Sequence, residues 1–141
     1  MKALLSLVVL ALLGCGRAQE SVNTLARPGT FLITAEQIEK SGAHTAWQVL
    51  KRNAPMLTLH EDRNGRPASM GRRGRSSLVL DEAPMVMLDG VRVPDFHTLE
   101  SIDAQSIASI TIYDGVEGTT YYGTGAGSGV IVIASKHGQS P

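Results

Sequence analysis

Hydrophobic and polar residues alternate along one segment near the end of the chain, and an unbroken apolar run follows shortly after it. Residues 109–113, Ser-Ile-Thr-Ile-Tyr, place isoleucine at every second position, which is the period of a half-buried strand. Residues 130–133, Val-Ile-Val-Ile, are all β-branched and predict a strand covered on both faces. We expect one short turn of helix and a glycine-rich arm between these two strands.

The glycine arm places Gly123, Gly125, Gly127 and Gly129 at every second position. A dinucleotide fingerprint would follow a strand and open a helix, so that the helix N-terminus meets the pyrophosphate. These glycines instead precede a strand, and no Gly-Lys-Ser/Thr sequence is present. We therefore interpret them as positions where the backbone turns and packs closely, with Gly123 and Gly129 as structural turn residues.

Two short helices are predicted before the middle of the chain. Thr34 and Gln37 fit a capping box, and Gly42 is a stop signal for the helix that this box begins. A second helix is expected over roughly residues 43–53, ended by Pro55. Its apolar face consists of Ala43, Ala46, Trp47, Leu50 and Ala54, with Trp47 as the core anchor.

Turn signals predict two hairpins. Residues 62–65, Asp-Arg-Asn-Gly, follow a strand expected over residues 56–60. Asp89 and Gly90 lie between two aliphatic segments and predict a type I′ turn, in which Asp89 is the structural residue that tolerates positive φ. A short helix is then expected over residues 99–108, with Asp103 as a plausible N-cap.

Composition narrows the class of protein. The chain has 141 residues, 43% of them hydrophobic, and no formal net charge, which predicts one ordinary domain and gives no electrostatic case for nucleic acid as a partner. The histidines are scattered, and neither a metalloprotease nor a serine-hydrolase motif is present. We therefore expect no catalytic residue, no metal site and no cofactor. The histidines are His44, His60, His97 and His137.

The N-terminal residues have the pattern of an export signal. Lys2 precedes an apolar run over residues 3–13, which is too short for a membrane-spanning helix and typical of a signal h-region. The run ends in Leu-Leu-Gly-Cys, which resembles the lipobox of bacterial lipoproteins. We therefore expect a lipoprotein signal peptide over residues 1–14 and lipid attachment at Cys15, the single cysteine of the chain.

Two features bear on where the mature protein lies. Cleavage after Ala18 would instead discard Cys15 and release a soluble periplasmic protein. Gly16 follows the cysteine, and by resemblance to enterobacterial lipoprotein sorting this favours the outer membrane. The polar residues 15–29 are expected to form a flexible tether, the residues 30–137 the folded domain, and the residues 138–141 a tail.

A basic cluster lies in the middle of the chain, where arginines alternate with glycines over residues 71–75. Three interpretations stay open: a solvated edge that discourages strand pairing, a site for an anionic ligand or lipid headgroup, and an ion-pair surface for a partner protein. No aromatic residue accompanies the cluster to stack on bases. The candidate partner- or ligand-binding residues are Arg72, Arg73 and Arg75.

Three segments together resemble the plug domain of TonB-dependent outer-membrane receptors. Residues 100–136 carry the isoleucine-rich strand, the Tyr-Gly pair, the small-residue arm and the closing Gly-Val-Ile strand of its C-terminal half. Residues 84–93 carry the aliphatic strand that runs into Asp-Gly-Val, and residues 33–38 resemble the start of a plug. The resemblance implies an α+β fold, with a small mixed β-sheet and short helices packed on it.

The resemblance also bears on the charged residues. Plugs carry an Arg-Gly motif where this chain has residues 71–75, and in full receptors plug arginines pair with glutamates of the barrel wall. Asp114 stands where the family usually has a basic residue. Barrel glutamates would repel a carboxylate at that position, which favours a protein that works outside a barrel.

The resulting expectation is a non-catalytic, lipid-anchored protein of the outer membrane that faces the periplasm. Too few residues follow the plug-like span to form even the smallest bacterial barrel of about eight strands, so we expect a binding or accessory module for uptake or assembly. Its expected partners are the membrane, through the lipid, and an outer-membrane barrel or another envelope protein. The alternative is a soluble periplasmic module that binds a siderophore, metal complex or glycan through the arginine cluster and residues 95–98.

Overall fold

Two β-sheets organise the chain in a computed structural model that describes residues 27–73 and 83–138. The expected signal peptide, Cys15, Arg75, the first part of the tether and the end of the tail lie outside these residues. In chain order, the elements are β1 (Thr30–Thr34), α1 (Ala35–Ser41), α2 (Ala46–Asn53), β2 (Leu57–Glu61), β3 (Pro67–Arg72), β4 (Met85–Leu88), β5 (Val91–Val93), α3 (Thr98–Ser101), β6 (Ile107–Tyr113), α4 (Gly115–Tyr122) and β7 (Val130–Ser135), with 3₁₀ turns at Ala104–Ser106 and Thr124–Ala126.

The larger sheet has five strands in the order β1-β6-β7-β4-β5, and β2 and β3 form a separate hairpin. Strands β4 and β7 run parallel, whereas the other neighbours in the large sheet are antiparallel. The sheet is therefore mixed, and with its short helices it confirms the α+β fold class. Among the described residues, no helix is long and apolar enough to cross a membrane.

One face of the large sheet carries most of the hydrophobic core. The register pairs Phe31 with Ile112, Ile112 with Ile131, and Ile131 with Val86, so these side chains project to the same side. We call this side the isoleucine face, and apart from Phe31 its residues are at most 5% exposed. It consists of Phe31, Ile33, Val86, Ile110, Ile112, Ile131 and Ile133.

Helix α1 packs on the isoleucine face through Ile38, which is buried in the same core. The capping box is present as the sequence predicts: the Gln37 amide donates to Thr34 Oγ1 at 3.4 Å, and the Thr34 amide donates to Gln37 Oε1 at 3.0 Å. Gly42 ends the helix in the left-handed conformation, at φ +62°. The helix is therefore bounded by local chemistry at both ends.

Helix α2 begins at Ala46, three residues later than the apolar pattern predicted. Thr45 is the cap residue, since its Oγ1 accepts from the Gln48 amide at 3.3 Å. Trp47 is 2% exposed, which confirms it as a core residue, and its Nε1 donates to the Glu61 carboxylate at 2.9 Å. Lys51 Nζ contacts the same carboxylate at 2.8 Å, so this three-residue network attaches α2 to the end of β2.

The single helix predicted over residues 99–108 is wrong. Helix α3 ends at Ser101, and a separate 3₁₀ turn begins at Ala104, with Asp103 as its cap. The break arises because the chain pairs there with the segment before α2: the Ala46 amide donates to the Ile102 carbonyl, and the Ala104 amide donates to the His44 carbonyl, each at 2.9 Å. This non-local bridge holds the intervening residues extended.

Helix α4 packs on the opposite face of the sheet at very close range. A Cβ atom on Gly118 would lie 2.9 Å from the Ala126 carbonyl oxygen and 3.2 Å from a methyl carbon of Val130, and one on Gly115 would overlap the Gly127 carbonyl oxygen. Only glycine therefore fits where α4 meets the 3₁₀ turn of the arm. Gly129 has φ +100° and lies against the Tyr113 carbonyl.

Replacing Gly115 by alanine is expected to lower the free energy of unfolding by about 2 kcal/mol, because the new methyl group would force α4 away from the glycine arm. Gly125→Ala is the matched control, since its nearest neighbour would be the Met85 methyl carbon at 3.7 Å. Urea unfolding of both variants measures the difference. Equal stabilities of the two variants would contradict the close packing.

Candidate functional site

A cleft of about 220 Å³ opens at the end of the large sheet where β1 begins and β6 ends. This volume is below the roughly 300 Å³ at which small-molecule pockets usually begin, so the cleft suits one or two side chains or part of a larger ligand. Its walls are about equally polar and apolar and include one guanidinium and one carboxylate group. The lining residues are Gly29, Thr30, Phe31, Met56, Arg72, Ile112, Tyr113 and Asp114.

Arg72 reaches the cleft from the β2–β3 hairpin. The antiparallel register pairs it with Leu57, and the Arg73 amide extends the pairing by donating to the Met56 carbonyl at 2.8 Å. Arg72 lies two residues after the buried Met70, so its side chain leaves β3 on the core side. A Cβ atom on Gly129 would lie 3.7 Å from Arg72 Cδ, so the stem of Arg72 packs beside the glycine arm.

The three candidate arginines have different surroundings. Arg72 and Arg73 are both exposed, but only Arg72 lines the cleft. Arg75 lies outside the described residues. Within the part of the chain that the structure describes, the ion pairs are Lys40–Glu36, Lys51–Glu61 and Lys136–Glu39, so neither Arg72 nor Arg73 has a carboxylate partner there.

Asp114 faces the cleft but also caps helix α4. Its Oδ1 accepts from the amides of Val116 and Glu117, both at 2.9 Å, and its own amide donates to the Gly29 carbonyl at 2.7 Å. A Cβ atom on Gly29 would overlap this carboxylate. Capping explains a carboxylate at a position where the sequence suggested a departure from the family pattern. The missed signal was an Asp followed three residues later by Glu.

All three tyrosines of the chain meet beside the cleft. The Tyr113 ring centroid lies 5.6 Å from that of Tyr121 and 6.1 Å from that of Tyr122, within the usual range of tilted aromatic pairs. Arg27 Nη1 donates to the Tyr121 hydroxyl at 3.0 Å, and burial raises the pKa of Tyr122. This aromatic cluster joins β6 to α4, and the sequence pattern did not reveal it.

Asp89 and Gly90 lie at the opposite end of the sheet, away from the cleft. Their φ values of +46° and +82° have the signs that a type I′ turn requires. The Asp89 carboxylate accepts from the Ser135 amide and from the Ser135 hydroxyl, both at 2.7 Å, and these hydrogen bonds lower the pKa of Asp89. The turn residue therefore also ties the β4–β5 hairpin to the end of β7. Residues 95–98 do not contribute to the cleft either.

The Asp89→Asn variant keeps a residue that tolerates positive φ and removes the charge. Because the folded-state pKa of Asp89 lies below its usual value of 3.8, its charge stabilises the fold above that pH, and this contribution is lost as the pH falls through the lowered pKa. We therefore expect the wild type to melt at a higher temperature than Asp89→Asn at pH 7, with the gap closing below about pH 4.

Ser135→Ala is the control for this pH series, since it removes the hydroxyl donor and leaves the backbone amide in place. Its melting temperature is expected to lie between those of the wild type and Asp89→Asn at pH 7. Thermal unfolding followed by circular dichroism from pH 7 to about pH 3 gives all three curves. A gap between wild type and Asp89→Asn that stays constant over this range would contradict the assignment.

A family model described as the TonB-dependent receptor plug domain matches residues 24–130. The match spans the cleft lining and every strand from β1 to the first residue of β7. No curated protein matches the sequence. The family model therefore covers most of the chain.

Solved structures give the same fold. The ferric enterobactin receptor PfeA of Pseudomonas aeruginosa, in complex with enterobactin, matches with a TM-score of 0.59 at 22% identity, over 78% of this chain and 18% of that chain. The siderophore receptor PirA of Acinetobacter baumannii matches with a TM-score of 0.56 at 22% identity, over 77% and 17%. The RagAB peptide transporter matches with a TM-score of 0.58 at 18% identity, over 76% and 12%. The chain therefore spans less than a fifth of each of these proteins.

Proposed function

Because the chain belongs to the TonB-dependent receptor plug domain family, we propose that it is a non-catalytic binding or accessory module in outer-membrane uptake or assembly. In this proposal a lipid on Cys15 anchors the protein in the outer membrane, and the folded domain faces the periplasm. Family membership relates the chain to transport receptors. We add three proposals to this: the lipid anchor, the accessory role and the absence of catalysis.

The observation that carries the proposal is the Arg72 cleft on a plug fold. Binding sites are concave and present a few polar groups among apolar ones, and this cleft places Arg72 and Asp114 beside Phe31, Met56 and Ile112. Backbone hydrogen bonds of the β2–β3 hairpin hold the main chain of Arg72 at the cleft wall, so its side chain starts from a fixed position.

The chemistry of the two charged groups supports a role without catalysis. The guanidinium of Arg72 is a cationic hydrogen-bond donor that offers no acceptor atom. The Asp114 carboxylate accepts two amide N–H groups of α4, which fixes its position as the cap of this helix. The cleft therefore offers recognition by charge and shape rather than acid–base chemistry.

The proposed anchor rests on the residues around Cys15. An apolar run followed by Leu-Leu-Gly-Cys resembles the pattern at which lipoprotein signal peptides are processed. Stable attachment needs more than one acyl chain, because a single chain binds a membrane only marginally. A doubly or triply acylated N-terminus on a polar tether would hold the folded domain close to the membrane surface.

A second candidate function is a soluble periplasmic module that binds a siderophore, metal complex or glycan. The specific observation that favours it is Tyr113, which lines the cleft together with Arg72 and contacts the rings of Tyr121 and Tyr122. An aromatic ring and a cation suit a ligand with a planar anionic group. The two candidates differ in the fate of Cys15, which the following experiment determines.

Metabolic labelling with an alkyne analogue of palmitate tests the anchor in a Gram-negative host that expresses the full chain. We expect the wild type to be labelled and to sediment with the outer membrane, and Cys15→Ala to be unlabelled. Ala18→Leu is the matched control: it blocks cleavage at the alternative site and leaves the lipobox intact, so labelling should persist. Unlabelled wild-type protein in the soluble fraction would favour the second candidate.

Site-specific photocrosslinking in the native envelope tests the binding role. A photoreactive residue at Met56, in the cleft wall, is expected to capture a distinct envelope protein, such as an outer-membrane barrel. The control places the same residue at Val91, which is 69% exposed and lies at the opposite edge of the sheet. Identical capture from both positions would mean that the cleft does not select a partner.

A further inference from the structure

Strand β1 is an edge of the large sheet, and in the described ranges 27–73 and 83–138 no strand pairs with its outer side. The Gly29 carbonyl accepts from the Asp114 amide at 2.7 Å, which makes this a hydrogen-bonded pair of the β1–β6 ladder. Since such pairs alternate along antiparallel strands, Phe31 and Ile33 direct their backbone groups toward β6. The backbone groups of Thr30, Leu32 and Thr34 therefore point outward.

Local contacts use the outward amides at both ends of this edge. The Thr30 amide donates to the Arg27 carbonyl at 2.9 Å, and the Thr34 amide donates to Gln37 Oε1 in the capping box at 3.0 Å. Leu32, in the middle, directs both its N–H and its C=O outward, and the Thr30 carbonyl points the same way. These three backbone groups are placed so that one added strand could pair with them by hydrogen bonds.

The edge begins at the cleft, since Thr30 and Phe31 belong to β1 and also line the cleft wall. Arg72 lines the same cleft, and among the described residues no carboxylate pairs with it. Asp114 also faces the cleft, but its Oδ1 accepts the two N-terminal amides of α4, so the positive end of this helix offsets its charge. An acidic side chain that enters the cleft can therefore pair with the Arg72 guanidinium.

We propose that the β1 edge and the Arg72 cleft together bind an extended peptide segment of a partner protein that carries an acidic side chain. The segment adds one strand beside β1 and pairs with the backbone of Leu32, and its carboxylate enters the cleft to meet Arg72. This inference names the partner chemistry for the proposed binding role and rests on that role, but it does not depend on the lipid anchor.

A second copy of the chain fits this edge poorly. The β1 sequence Thr-Phe-Leu-Ile-Thr contains no acidic residue, so pairing between two copies of β1 would bring no carboxylate to Arg72. The volume of about 220 Å³ has room for one glutamate side chain. A carboxylate that pairs with Arg72 must therefore come from a segment other than the β1 strand of a second copy.

The test uses the full-chain protein and two synthetic ten-residue peptides of alternating threonine and valine. One peptide has a central glutamate, and its twin has glutamine at that position. Fluorescence anisotropy is expected to show about fivefold tighter binding of the glutamate peptide, the size of an exposed charge pair. Hydrogen exchange measured by NMR is expected to show slower exchange of the Leu32 amide when the glutamate peptide is bound.

Three variants separate the contributions of charge and backbone. Arg72→Gln is expected to bind both peptides equally, with the affinity that the wild type has for the glutamine twin. Arg66→Gln, an exposed arginine at the β2–β3 turn outside the cleft, is expected to keep the fivefold preference. Leu32→Pro removes the outward amide and is expected to lower the affinity for both peptides about tenfold, because one hydrogen bond to the added strand is lost.

The outcomes distinguish this inference from the proposed function. Three results would each overturn this inference: equal affinity of the wild type for the two peptides, a preference for glutamate that survives in Arg72→Gln, or unchanged hydrogen exchange at the Leu32 amide. The exchange measurement uses the wild type and does not depend on the folding of any variant. If the wild type self-associates in the absence of peptide and Leu32→Pro does not, the β1 edge binds a second copy of the chain instead. Peptide binding with unlabelled Cys15 would refute only the anchor, whereas labelled Cys15 without peptide binding would refute only this inference.

Discussion

The pairing of β7 on both of its edges is the constraint on which the rest of the structure depends. Antiparallel pairing with β6 and parallel pairing with β4 fix the register of three strands at once. A shift of one residue would send Ile131 and Ile133 to the opposite face and empty the core beneath α1 and α2. The same pairing requires the chain to turn sharply between β6 and β7, and the glycines around α4 make that turn possible.

The cleft is a consequence of this arrangement rather than a separate feature. Its walls come from residues 29–31, from the ends of the β2–β3 hairpin and from residues 112–114, which are far apart in the sequence. The β1–β6 register brings the first and last of these together, and the network of Trp47, Lys51 and Glu61 holds the hairpin against α2. Arg72 is therefore positioned by contacts made some distance from the cleft itself.

Local signals in the sequence predict much of the fold and little of the site. The capping box at Thr34, the two turn-centred hairpins and the strands of residues 109–113 and 130–133 follow from short-range chemistry, and the structure has them. The predicted helix over residues 99–108 is wrong because a bridge between Thr45 and Asp103 competes with helix formation, and no local pattern reveals such a bridge. The tyrosine cluster and the cleft also join residues that are far apart in the sequence. The sequence therefore indicates arginines as candidate binding residues, but it does not reveal which groups surround them.

The contact between Gly29 and Asp114 links the start of the folded domain to the cap of α4. A side chain at position 29 and a carboxylate at position 114 exclude each other, because they would occupy the same space. The positive φ of Gly29, +86°, is a second and independent reason for glycine at this position. A turn residue and a helix cap, separated by 84 residues in the sequence, therefore form one contact that neither local pattern reveals.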